Sequence, residues 1–183
     1  WLLVPLYAGI FATQEYGIVI NLMSYTALLM VLLTYGTETG FFRFATTDNK
    51  NNVFSTLMAS LSVTTSLFIV LTLLFLREIA DFLNVAEHKE YLILLIITVS
   101  IDVISSIPFA LLRLECRPIR FGIIKLLNIG INIGLNLFFL LLCPFLEQKG
   151  IAVPFYNPNG GIVYIFISYL IASVFTFIML LPY

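Results

Sequence analysis

Charge is scarce in this sequence. Nine Lys and Arg stand against ten Asp and Glu in 183 residues, a net charge of −1. With no basic tail and no charged block, the chain carries no footprint for nucleic acid. His88 stands alone in a polar link, lacks Cys or carboxylate neighbours at ligand spacing, and reads as a solvated loop residue. Cys116 and Cys143 lie far apart, without metal spacing or a disulfide framework, and read as two ordinary thiols. Long polar segments are missing too, since every connection between apolar runs has fewer than 20 residues and none can fold as a separate domain. No nucleophile and base are placed together, so the sequence offers neither a catalytic set nor a cofactor site and does not read as an enzyme.

What fills the chain is apolar. It is 61% hydrophobic and 10% charged with a mean hydropathy of +1.06, whereas a soluble domain is about a quarter charged. Five runs account for this: Gly17 to Tyr35, Val53 to Leu76, Tyr91 to Leu112, Phe121 to Leu146 and Gly161 to Leu181, each of 19 residues or more. At 1.5 Å per residue the shortest is roughly 28 Å long, enough to cross a hydrocarbon core about 30 Å thick. The expected fold is all-α, a polytopic transmembrane helix bundle forming one domain over residues 1–183. Its start, Trp1-Leu2-Leu3-Val4-Pro5-Leu6-Tyr7, reads as the last turns of an earlier helix, and the end at Leu180-Leu181-Pro182-Tyr183 follows a span directly. The expectation is an internal fragment, with the end of one span and five more.

Basic residues set the orientation, because loops rich in Lys and Arg stay on the cytoplasmic side. Arg43, Lys50, Arg113, Arg117, Arg120 and Lys125 share one side; Arg77, Lys89 and Lys149 fall on the other, diluted by Glu78, Asp81, Glu87 and Glu90. Six against three places residues 36–52 and 113–120 in the cytoplasm. The longest outer link, residues 147–160, holds Pro154 and Asn157-Pro158-Asn159-Gly160, which are turn formers.

Polar residues inside the spans are the functional candidates. Asp102 stands 11 positions from Tyr91 and 11 from Arg113, at mid-span, where a carboxylate costs about 2.5–3.5 kcal/mol and must face protein, water or a partner. Thr98, Ser105 and Ser106 share its face. Two readings stand, a cavity-lining group that meets a polar substrate or exchanges a proton, and a protonated packing residue. Pro108 is expected to bend the helix end. In the next span Asn128, Asn132 and Asn136 follow Lys125 at spacings of 3, 4 and 4. The three amides fall within about 80° of arc, and Gly130 and Gly134 point away from them. The glycine face can approach another helix closely; the amides serve either interhelical packing or a cavity. Glu38 and Arg43 lie about 140° apart on a regular helix, so each is expected to find another partner. Arg113, Arg117 and Arg120 suit lipid phosphate or diphosphate, although positive-inside topology alone accounts for them.

The stretch Tyr35-Gly-Thr-Glu-Thr-Gly-Phe-Phe-Arg-Phe-Ala45, the earlier Glu15-Tyr16-Gly17, and Ile107-Pro-Phe-Ala-Leu-Leu-Arg113 running to Arg117-Pro118-Ile-Arg120-Phe121 resemble bacterial polysaccharide biosynthesis and O-antigen flippases. These belong to the multidrug, oligosaccharidyl-lipid and polysaccharide exporter superfamily. The resemblance covers nearly the whole chain and implies most of the first six-helix lobe, with helix 1 truncated. It implies a multi-pass protein of the bacterial inner membrane that moves an undecaprenyl diphosphate-linked oligosaccharide by alternating access, for lipopolysaccharide or related surface polysaccharide. Its partners would be that lipid-linked oligosaccharide, membrane lipids and polysaccharide assembly enzymes. On this reading Glu38, Asp102, Asn128, Asn132 and Asn136 line the substrate cavity, while Arg43, Arg113, Arg117 and Arg120 make phosphate contacts at the cytoplasmic mouth. The alternative is a cation-coupled multidrug exporter of the same superfamily, with Asp102 or Glu38 as the coupled carboxylate. A purely structural subunit would have no reason to carry Asp102 at mid-span.

Overall fold

The computed structural model describes residues 3–46, 49–83, 85, 88–149 and 160–181. Among them the chain is helical, with no strand: α1 (Val4–Ile10), α2 (Thr13–Thr34), α3 (Thr37–Phe44), α4 (Lys50–Leu74), α5 (Leu76–Phe82), α6 (Lys89–Leu114), α7 (Pro118–Leu137), a π-helical turn (Phe138–Leu142), α8 (Cys143–Gln148) and α9 (Gly161–Leu180). Five stretches are long and apolar enough to cross a membrane: Thr13–Phe44, Lys50–Leu74, Lys89–Leu114, Pro118–Glu147 and Gly161–Leu180. The chain is an all-α polytopic bundle and has the character of a membrane protein. The expected turn at Pro154 and residues 157–159 lies outside the described residues.

α6 is the central helix. Inside its most apolar window 67% of residues are buried, against 11% in α4, because α6 packs on α9, α4, α2 and α3. Its core side, Val99, Val103 and Ile107, has no exposed surface. The outer faces of α2, α4 and α7 remain apolar and open, with Val31, Val63, Leu74 and Leu126 about 70% exposed, as lipid-facing surfaces require. At the corner of α1 and α2, Phe11 comes so close to the start of α9 that a Cβ on Gly161 would meet its ring at 2.8 Å.

Four details differ from or sharpen the expectation. The first apolar run does not simply end at Tyr35: Tyr35 (φ 31°) and Gly36 (φ 74°) are both left-handed, and the chain resumes as α3 within what read as a cytoplasmic link. Phe41, fully buried against Phe54, and the Thr37 hydroxyl bonded to the Thr34 carbonyl at 2.8 Å hold α3 in place. The link after α4 likewise contains a helix, α5, which buries Ala80. α6 runs through Pro108 as one helix to Leu114. The run after Arg120 contains a π-helical turn before Pro144; proline has no N–H and its ring crowds the carbonyl four residues back, and the widened turn accommodates both.

The α6–α7 corner is a Schellman turn. Arg117 N–H donates to the Leu112 carbonyl and Cys116 N–H to the Arg113 carbonyl, both at 3.1 Å, with Cys116 left-handed at φ 51° and Pro118 opening α7. The left-handed place usually belongs to glycine, because a Cβ there is crowded by the backbone.

Two substitutions test this scheme in thermal unfolding of the detergent-solubilised protein. Phe41→Ala opens a void under α3 and is expected to cost about 3 kcal/mol. Cys116→Gly relieves the left-handed strain and is expected to raise stability by about 0.5 kcal/mol, a gain trimmed by glycine's freedom when unfolded.

Candidate functional site

The residue that cannot face lipid decides where the site is. Asp102 is half-buried and looks from α6 into a cavity of about 280 Å³ among α2, α3, α6, α7 and α9. Opposite it on α9 stand Tyr169 and Ser173, whose hydroxyls face the carboxyl, and Lys125 of α7 lies within electrostatic reach. Ser173 Oγ is buried without a formed hydrogen bond, which leaves it beside the carboxyl rather than committed to it. Lys125 projects its ammonium 4.3 Å from the centre of the Phe109 ring, so an aromatic face of α6 shares the charge.

The polar stripe of α6 is less open than its spacing suggests. Thr98, Ser105 and Ser106 are buried, and their hydroxyls turn back onto their own helix, donating to the carbonyls of Leu94, Ile101 and Val103 at 2.7 Å. Ser105 and Ser106 line the Asp102 cavity with oxygens whose donors are already used.

The three amides of α7 divide. Asn128 donates to the Ala172 carbonyl at 3.1 Å and the Thr176 hydroxyl at 2.8 Å, and it lines the Asp102 cavity. It also lines a second, larger one of about 570 Å³ between α1, α2, α7 and α9, together with Tyr7, Asn132 and Tyr169. Asn136 is 1% exposed; the Tyr7 hydroxyl donates to its Oδ1 at 2.9 Å, and its amide donates to the Asn132 carbonyl at 2.8 Å. Asn136 is thus a packing residue that ties α1 to α7, whereas Asn128 and Tyr169 form the wall between two cavities. The Gly130 and Gly134 face meets nothing within 4 Å of a would-be Cβ.

Glu38 finds its partner in Arg113. The guanidinium donates to Glu38 Oε2 at 2.7 Å, and it lies 5.7 Å from the Phe42 ring and 5.5 Å from the Phe121 ring. Both residues line the Asp102 cavity. With side chains 39% and 40% exposed, the pair contributes no more than about 1 kcal/mol. The other arginines lie outside this cavity. Arg117 pairs with Glu115 at 3.2 Å, Arg43 lies 5.8 Å from the Phe44 ring centre, and Arg120 is exposed. Lys50, at the start of α4, donates to Glu115 at 2.6 Å and so ties α4 to the α6–α7 corner. The Lys50 hydrogen bond and the nearby positive charges hold the Glu115 carboxyl below its ordinary pKa of 4.5.

Sequence reasoning missed Tyr169 and Ser173 as members of the site and gave Lys125 no place in it. Tyr169, Ser173 and Thr176 follow one another at helical spacing on the mostly apolar α9, a stripe that the sequence reading did not use; Lys125 is read there for topology and as the head of the α7 amide ladder. The spacing of Lys125 to Asn128, one helical turn, is the signal that could have placed it in the cavity. His88 lies apart from the site, 48% exposed and 3.2 Å from Glu90.

No family model, curated protein or solved structure matches the chain.

The Glu115 tie carries a pH dependence. Because its carboxyl is held low in the folded state, its contribution is present above pH 4.5 and is lost as pH falls through the lowered folded value. Thermal stability should therefore fall on acidification below that point, and Glu115→Gln, with the tie already gone, should flatten this limb of the stability profile.

Proposed function

We propose that this chain is a lobe of a membrane transporter that flips an undecaprenyl diphosphate-linked oligosaccharide across the bacterial inner membrane by alternating access. One observation carries the reading. Asp102, Lys125, Asn128 and Tyr169 meet around a polar cavity inside a bundle whose outer faces are apolar. Ionisable groups gathered at depth, away from lipid, are what a pathway for a polar solute needs. The adjoining cavity, walled by Tyr7, Asn128, Asn132 and Tyr169 with Val19, Met23 and Ile165, offers uncharged hydrogen-bonding groups on an apolar surface, which suits sugar hydroxyls and ring faces. The resemblance of residues 35–45 and 107–121 to polysaccharide flippases selects the cargo class.

The second reading is a cation-coupled exporter of the same superfamily. It is favoured by the Asp102 carboxyl facing two hydroxyls, Tyr169 and Ser173, an arrangement of oxygens that can take a cation or a proton.

The test is complementation of a host lacking its polysaccharide flippase by the full-length gene, scored as lipid-linked glycan reaching the outer face. Rescue is expected. Asp102→Ala should abolish surface polysaccharide at unchanged protein level. Normal polysaccharide in that variant would refute the role of Asp102. Failure of the unmodified gene, together with organic-cation efflux dependent on a proton or sodium gradient, would select the exporter.

A further inference from the structure

We infer that the Glu38–Arg113 pair is a latch that closes the Asp102 cavity at its basic end, and that α3 is the moving part, hinged at Tyr35 and Gly36. This goes beyond the cargo question, because it concerns access to the cavity whatever solute enters it.

Three features converge on α3. First, it is joined to α2 through consecutive left-handed residues, Tyr35 (φ 31°) and Gly36 (φ 74°). The α-helical hydrogen-bond ladder is interrupted there, so α3 can tilt about its buried Phe41 anchor without unwinding the body of α2. The pivot is itself held, since the Tyr35 hydroxyl bonds Ser60 of α4 at 2.8 Å. Secondly, Glu38 stands in the first turn of α3 and meets Arg113, in the last turn of the central helix α6, at 2.7 Å. The two charges close one end of the cavity whose interior holds Asp102, Lys125 and Asn128. Thirdly, the contact is half-exposed, and the paired Arg113 guanidinium already lies 5.5 Å from the ring of Phe121 on α7, which does not move with α3. A guanidinium with aromatic faces beside it can release a carboxylate without becoming a bare charge in an apolar layer. The pair is therefore suited to opening and closing rather than to permanent bracing.

The second ion-pair group at this end, Lys50, Glu115 and Arg117, contributes nothing to the cavity lining. It anchors α4 to the α6–α7 corner, and so provides a fixed frame against which α3 moves.

The experiment uses the full-length protein with a cysteine reporter at Ser106, in a background with Cys116→Ser and Cys143→Ala. A membrane-impermeant maleimide is applied to inverted inner-membrane vesicles and, separately, to right-side-out ones. Glu38→Gln and Arg113→Gln should each speed labelling in inverted vesicles about fivefold, as loss of a pair worth roughly 1 kcal/mol would. The exchange Glu38→Arg with Arg113→Glu should return labelling toward the unmodified rate. Unchanged labelling in both Gln variants would overturn the latch. So would acceleration that the charge exchange fails to reverse, or acceleration confined to right-side-out vesicles. Complementation by the unmodified gene is scored separately, so loss of the flippase reading and loss of the latch give different results.

Discussion

In a hydrocarbon layer every peptide N–H and C=O must find its partner within the chain, and that requirement governs the rest of this structure. It explains why the described residues are helical throughout, and why each interruption has a local remedy. At Tyr35 and Gly36 the ladder breaks at the end of the apolar run, and α3 restarts with its own bonds, beginning with Gly40 N–H to the Gly36 carbonyl. At Pro144 the missing donor is absorbed by a π-helical turn rather than by a break. At Cys116 a Schellman pair of bonds closes α6 before Pro118, a residue that fits the first turn of the next helix.

The same requirement extends to side chains and separates the polar residues into two kinds. Hydroxyls on a helix can satisfy themselves by bonding a carbonyl one turn back. Thr26, Thr98, Ser100, Ser105 and Ser168 all do so, so their presence at depth says little about function. Asp102 has no such option. A carboxyl needs partners from elsewhere, and here the hydroxyls of Tyr169 and Ser173 on α9, a helix packed on both α6 and α7, face it while Lys125 of α7 lies within electrostatic reach. The location of the site is thus a consequence of the single acid at mid-span, not of the larger number of hydroxyls around it.

This distinction also explains what was legible in the sequence. The five spans were readable because length and hydropathy act locally, and the structure places them within a few residues of the apolar runs, except that the first continues through α3 to Phe44. α3 and α5 were not, because Thr37–Phe44 and Leu76–Phe82 mix charged and apolar residues over seven or eight positions, too short for a periodic pattern to separate a helix from a loop. Spacing puts the three α7 amides on one face, but it could not say that Asn136 would be sealed by Tyr7, 129 residues away in sequence. Nor could it pair Glu38 with Arg113, 75 residues apart. Contacts between helices depend on which faces meet, and one helix's periodicity carries no information about its neighbour's.

The charges lining the Asp102 cavity constrain how a ligand enters. Glu38 and Asp102 are matched there by Arg113 and Lys125, so the described lining is neutral overall. A neutral lining avoids the cost of holding unpaired charge in a low-dielectric layer, yet it leaves no idle cation. An anionic group reaching this cavity gains Arg113 only by displacing Glu38, which already holds it at 2.7 Å. Affinity then becomes a difference between two similar pairings rather than the full attraction of an ion for a counter-charge. The rings of Phe109 beside Lys125 and of Phe42 and Phe121 around Arg113 share the charge of each cation where it lies against an apolar wall.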